Sequence, residues 1–107
     1  MELTIEDILK THGENPKKIL SLEASKLKVR KVCGLSMFSK LKSINIASNF
    51  IESLESCQID RLESLKDLDV SSNSLTRLPN TPQGLVKLNV AYNKLNSLEN
   101  LPRVMIK

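Results

Sequence analysis

The sequence predicts an α/β fold: a right-handed solenoid of stacked coils, with a short parallel sheet on its concave face and an N-terminal capping helix. A motif repeats along the chain, apolar residues alternate inside that motif, and aliphatic residues are plentiful while aromatic ones are scarce. Leu41, Ile44, Ile46, Asn49 and Ile51 align with Leu65, Leu68, Val70, Asn73 and Leu75, and again with Leu85, Leu88, Val90, Asn93 and Leu95. A fixed period of this kind marks units that bury their apolar faces only by stacking. With 40% hydrophobic but only 3% aromatic residues, the core must consist of Leu, Ile and Val, which suits many similar thin layers.

Within each copy the apolar residues alternate at period two, so each is a short strand with one face inward. Asn49, Asn73 and Asn93 follow where the chain must turn, and a buried amide there satisfies backbone groups that no ladder reaches. An earlier, degraded copy reads Leu20, Leu22 and Leu27, with Lys17 in the leading Leu position and Ser25 in the Asn position. Start-to-start spacings are then 24, 24 and 20 (Leu20, Ile44, Leu68, Leu88), and the first coil is expected to be looser.

Outside the strands, Leu35, Phe38 and Leu41 match Ile59, Leu62 and Leu65, and their spacing of three suits 3₁₀ turns. The next copy carries Pro79, Pro82 and Gly84 instead, which exclude a helix and predict an extended path. Ahead of the repeats, Thr4 can cap a helix with Asp7 three residues on, Leu3 and Ile8 form a hydrophobic staple, and Gly13 supplies the stop. Such a helix would cover the first coil. Residues 1–16 are therefore read as a cap and link, and 17–107 as about four coils of one domain. Adding 20 to Leu78, Leu85 and Lys87 gives Leu98, Met105 and Lys107, which predicts an uncapped end just where a further strand's first core residue falls.

The formal charge of +4 is polarised. Residues 17–42 hold eight Lys and Arg against Glu23 alone, whereas 43–76 hold six acids against Arg61 and Lys66. The two cysteines and the lack of an apolar leader or membrane-length apolar run predict an intracellular protein with no membrane span. Cys33 and Cys57, one 24-residue repeat apart, are expected to stack in neighbouring coils as reduced, small core residues, at a distance a disulfide could also bridge. His12 has no spaced partners, so neither metal nor cofactor is expected.

The pattern L-x-x-L-x-L-x-x-N-x-L is similar to the leucine-rich-repeat superfamily over residues 17–107, about 85% of the chain. The opening residues Leu3, Thr4, Glu6, Ile8 and Leu9, ahead of a degenerate repeat, resemble the intracellular subgroup with phosphatase-regulator-like, dynein-light-chain-like and other ciliary or centrosomal members and the spliceosomal A-prime protein. Leu78, Pro79, Pro82, Gly84 and Leu85 depart from that subgroup and resemble the 20-residue repeats of bacterial effectors. The resemblance implies a non-enzymatic scaffold that binds another protein through its concave sheet, in the cytoplasm and at the cytoskeleton or cilium.

On that face the residues between inward-facing positions form columns. The central one is Ser21, Asn45, Asp69 and Asn89, flanked by Ile19, Ser43, Asp67 and Lys87 and by Glu23, Ala47, Ser71 and Ala91. Their small side chains leave a shallow trough for a partner helix or strand. Asp67 and Asp69 beside Lys87 are not read as catalytic, because an open trough gives no enclosed cleft. Tyr92, where the other coils have Ser48 and Ser72, is a candidate contact on the rim. The expected partner-binding set is thus Ser21, Asn45, Asp67, Asp69, Lys87, Asn89 and Tyr92. Lys26, Lys28, Arg30 and Lys31 form a basic edge suited to an acidic partner or, as the alternative, an RNA-associated role; with so few aromatic residues to stack bases, direct nucleic-acid binding is disfavoured.

Overall fold

A computed structural model describes residues 2–3, 7, 10, 15–78, 80–95 and 105–106. Its centre is a five-stranded parallel sheet of β2 (Ser21–Glu23), β4 (Ser43–Asn45), β5 (Asp67–Asp69), β6 (Lys87–Asn89) and β7 (Met105–Ile106), in that order. The register places Leu22, Ile44, Leu68 and Leu88 side by side. The pairing runs past each strand into the turn: Ile46 N–H donates to Asp69 O and Ser48 N–H to Ser71 O, and the same bonds recur one coil on from Val70 and Ser72.

The inward residues stack in rows that continue around each coil. Ile19, Leu41, Leu65 and Leu85 are buried, as are Val29, Ile51 and Leu75, and Val32, Leu54 and Leu78. Short 3₁₀ turns at Leu35–Met37 and Ile59–Arg61 bury Leu35 and Ile59, as the spacing of three predicts. The stretch with Pro82 and Gly84 has no helix among its described residues and closes with a single turn, Leu85 N–H to Pro82 O.

The first coil sits two residues away from its expected phase. Leu22 pairs with Ile44, a spacing of 22, while Leu20 and Leu27 are about half exposed. Burial explains the shift: this register puts Ile19 rather than Lys17 in the leading core position, and matches Val29 and Val32 to Ile51 and Leu54. Ser25 is therefore not in the Asn position, and Ile19 belongs to the core rather than to the trough. The last spacing also differs, since Lys87 pairs with Met105 and Leu88 with Ile106, an offset of 18 rather than 20. Strand β1 (Glu2–Leu3) pairs in parallel with β3 (Lys31–Val32), a contact the sequence reading does not anticipate. Asp7 and Lys10 are helical; the other residues of the expected capping helix lie outside the described residues.

Each repeat asparagine ties its own turn to the coil before it. Asn73 Nδ2 donates to Val70 O and Ser71 O of its own turn and to Ile46 O of the preceding coil, all within 3.0–3.1 Å. Its Oδ1 accepts from Ile51 N at 3.1 Å. Asn49 and Asn93 repeat the arrangement. Removing such a side chain strands several buried backbone groups at once. Asn73→Ala is expected to cost about 3 kcal/mol in denaturant unfolding. Asn93→Ala should cost less, since Asn93 is only half-buried.

Cys33 is half-buried and Cys57 fully buried; both are free thiols, and Cys57 Sγ donates to Val32 O at 3.0 Å. Burial, with a smaller contribution from neighbouring Cys33, pushes the Cys57 thiol up to about 12. In the unfolded chain it ionises near its ordinary value of about 8.5, so above that pH the unfolded state releases a proton that the folded state keeps. Unfolding free energy should thus fall as pH rises from about 9 towards 12, by up to about 1.4 kcal/mol per pH unit from this residue. Cys57→Ala should remove that component in urea melts run across the range.

Candidate functional site

The outward positions of the strands form a shallow trough of about 250 Å³, lined by Ser21, Glu23, Ser43, Asn45, Asp67, Asp69, Lys87 and Asn89, with Leu22 and Ile44 as its floor. The trough is open across β2, β4, β5 and β6, and most of its lining side chains are short. Six expected contact residues, Ser21, Asn45, Asp67, Asp69, Lys87 and Asn89, meet here. The corrected phase of the first coil changes their columns. Glu23, Asn45, Asp69 and Asn89 form the central one, and Ser21 joins Ser43, Asp67 and Lys87 beside it.

The central side chains are fixed by the turn that follows them. Asn45 Oδ1 accepts from Ala47 N at 3.0 Å, Asp69 Oδ1 from Ser71 N at 3.0 Å, and Asn89 Oδ1 from Ala91 N at 3.1 Å. Glu23 plays the same part in the first coil, accepting from Ser25 N and, at 2.6 Å, from Ser25 Oγ. Ser71 Oγ adds a 2.7 Å bond to Asp69. Side chains that bond their own backbone two residues on have little freedom left to lose. The sequence reading missed this clamp, although its signal is legible: an acid or amide two residues before Ser or Ala in every coil.

Tyr92 does not line the trough but stands on its rim, 85% exposed. Its φ of 58° lies in the left-handed region, as do those of Lys26, Ser48 and Ser72 in the equivalent turns. An aromatic residue held there costs about 1 kcal/mol relative to Gly or Asn, and exposure returns no packing. Fold stability gives no reason for Tyr at this position.

The basic edge takes shape from the first turn onwards. Lys26 and Lys28 both have left-handed φ, and with Arg30 and Lys31 they are exposed. Chemically the trough offers hydrogen-bond donors and acceptors, with the carboxylates of Asp67 and Asp69 on the strand next to that of Lys87, an arrangement for recognition. Among the described residues no three His, Cys, Asp or Glu side chains gather as a metal site, and no helix is long and apolar enough to cross a membrane.

The family described as Leucine rich repeat matches residues 39–95. The chain is 40% identical over 86 residues to immunoglobulin domain and leucine-rich repeat-containing protein 2 of Caenorhabditis elegans, covering 78% of this chain and 11% of that protein. It is 30% identical over 84 residues to human mimecan, covering 77% of this chain and 28% of mimecan. It is 29% identical over 66 residues to PH domain leucine-rich repeat-containing protein phosphatase 1 of Mus musculus, covering 62% of this chain and 4% of that protein. No solved structure matches the chain. It thus spans less than a third of each of these relatives.

Proposed function

The chain belongs to the leucine-rich-repeat family, and on that premise we propose that it is a protein-interaction module that grips its partner in the concave trough. The observation that carries this reading is the clamped central column. Glu23, Asn45, Asp69 and Asn89 are held by their own turns while lining an open, polar groove. A receptor ordered in advance loses little entropy on binding, so more of each contact appears as affinity. The proposal includes a right-handed solenoid as the scaffold, an N-terminal cap over residues 1–16 with repeats over 17–107, and the intracellular, cytoskeletal or ciliary placement implied by the resemblance.

Tyr92 fits as a rim anchor. Its strained, exposed position makes sense where the ring packs against a bound partner. Replacing it should therefore separate stability from binding. Tyr92→Asn is expected to raise stability by about 0.5–1 kcal/mol in denaturant melts and to weaken partner binding. A photo-crosslinking residue at Asn45 or Asn89 locates the contact directly. Ultraviolet irradiation in cells should yield the same protein adduct from both trough positions, reduced by Asp69→Lys, with none from Glu63, an exposed residue outside the trough. Equal adducts from Glu63 and the trough, or adducts indifferent to Asp69→Lys, would reject the reading.

A further inference from the structure

The trough shares no lining residue with a second surface, on the edge where the chain leaves the sheet. There Phe50 is 54% exposed and Leu27 46% exposed. Single exposed apolar residues are common and need no explanation. These two are neighbours in adjacent coils. Phe50 N–H donates to Val29 O at 2.8 Å, and Leu27 lies two residues before Val29. Phe50 also lines an open concavity of about 300 Å³ with Arg30, Glu52 and Ser74.

The turn that presents Leu27 is rigid. Lys26 and Lys28, on either side of it, both have left-handed φ, near 58° and 59°. Asn49, buried in the next coil, accepts from Leu27 N and Val29 N through one oxygen, at 3.0 Å each. An apolar side chain is thus held half out of the core by backbone bonds, in the place where later coils carry a buried or half-buried asparagine. Around it Lys26, Lys28 and Arg30 are exposed, and Glu52 stands on the wall of the concavity.

We propose that this edge is a second docking surface, taking a protein segment in which acidic side chains flank an apolar one. The apolar side chain seats in the concavity against Phe50 and beside Leu27, while the acids meet Lys26, Lys28 and Arg30. Two features favour a peptide over other polyanions. A flat lipid surface cannot enter a concavity whose wall includes Glu52, and a single aromatic ring offers a nucleic acid no run of stacked bases. The proposal is independent of the trough, so the two can fail separately.

A phage-displayed library of random peptides, panned on the whole chain and counter-selected on Phe50→Ser and Lys28→Glu, tests it. Thermal melts should show both variants folded, since Phe50 and Lys28 are exposed. Recovered peptides should share an apolar residue flanked by Asp or Glu and should bind more weakly as salt rises. Their affinity, read by fluorescence anisotropy, should fall about fivefold or more with either variant and stay unchanged with Asp69→Lys. Failure to enrich peptides, peptides without acids, or loss only with Asp69→Lys would overturn the proposal. So would binding of phosphatidylserine vesicles or poly(U) RNA, lost in the same two variants, with no peptide binding.

Discussion

The structure depends on the need to satisfy backbone groups wherever a parallel strand three residues long ends inside an apolar interior. Asn49, Asn73 and Asn93 meet it by reaching both their own turn and the coil before, so each amide fixes the offset between neighbouring layers. Among the described residues no buried side-chain nitrogen or oxygen lacks a partner. Aliphatic rows supply most of the burial free energy, but burial is indifferent to direction. The amides add the direction, and so they specify which row stacks on which.

The same geometry produces the binding surfaces. With its apolar residues turned inward, each strand presents alternate residues outward, and the following turn clamps the central one through a bond to its own backbone. Leaving the strand, the chain passes through left-handed φ at Lys26, Ser48, Ser72 and Tyr92. Ser and Lys occupy three of those turns; the fourth holds an aromatic ring exposed to solvent. The conformational cost at Tyr92 and the half-exposed Leu27 and Phe50 are thus departures from what folding alone favours. Both lie on the edge of the sheet, where a partner can reach them.

Much of this was legible in the sequence, and the failures share a cause. From Leu41 to Leu95 three copies carry every motif position, so strands, turn asparagines, 3₁₀ turns and the extended stretch could all be read from spacing. Leu20, Leu22 and Leu27 mimic the motif in the first coil, and the burial of Ile19 instead of Lys17, with Val29 and Val32 in line with Ile51 and Leu54, separates the true phase from one two residues away. The last strand goes wrong likewise, because the 20-residue period shortens to 18 where the motif fades. Pairing of Glu2–Leu3 with Lys31–Val32 was not legible at all, since two-residue strands carry no periodicity. Six of the seven expected trough residues converge, with Tyr92 beside them on the rim. The mis-phased first coil had placed Ser21 in the centre in place of Glu23.

Layer-to-layer register is therefore the claim on which both surfaces rest, and nuclear Overhauser contacts between methyl groups test it most directly. Contacts are expected from Leu22 to Ile44, Ile44 to Leu68 and Leu68 to Leu88, with slow amide exchange at Ile46 and Val70, whose N–H groups donate across coils. Contacts joining Leu20 to Ile44, or rapid exchange at those two amides, would contradict it.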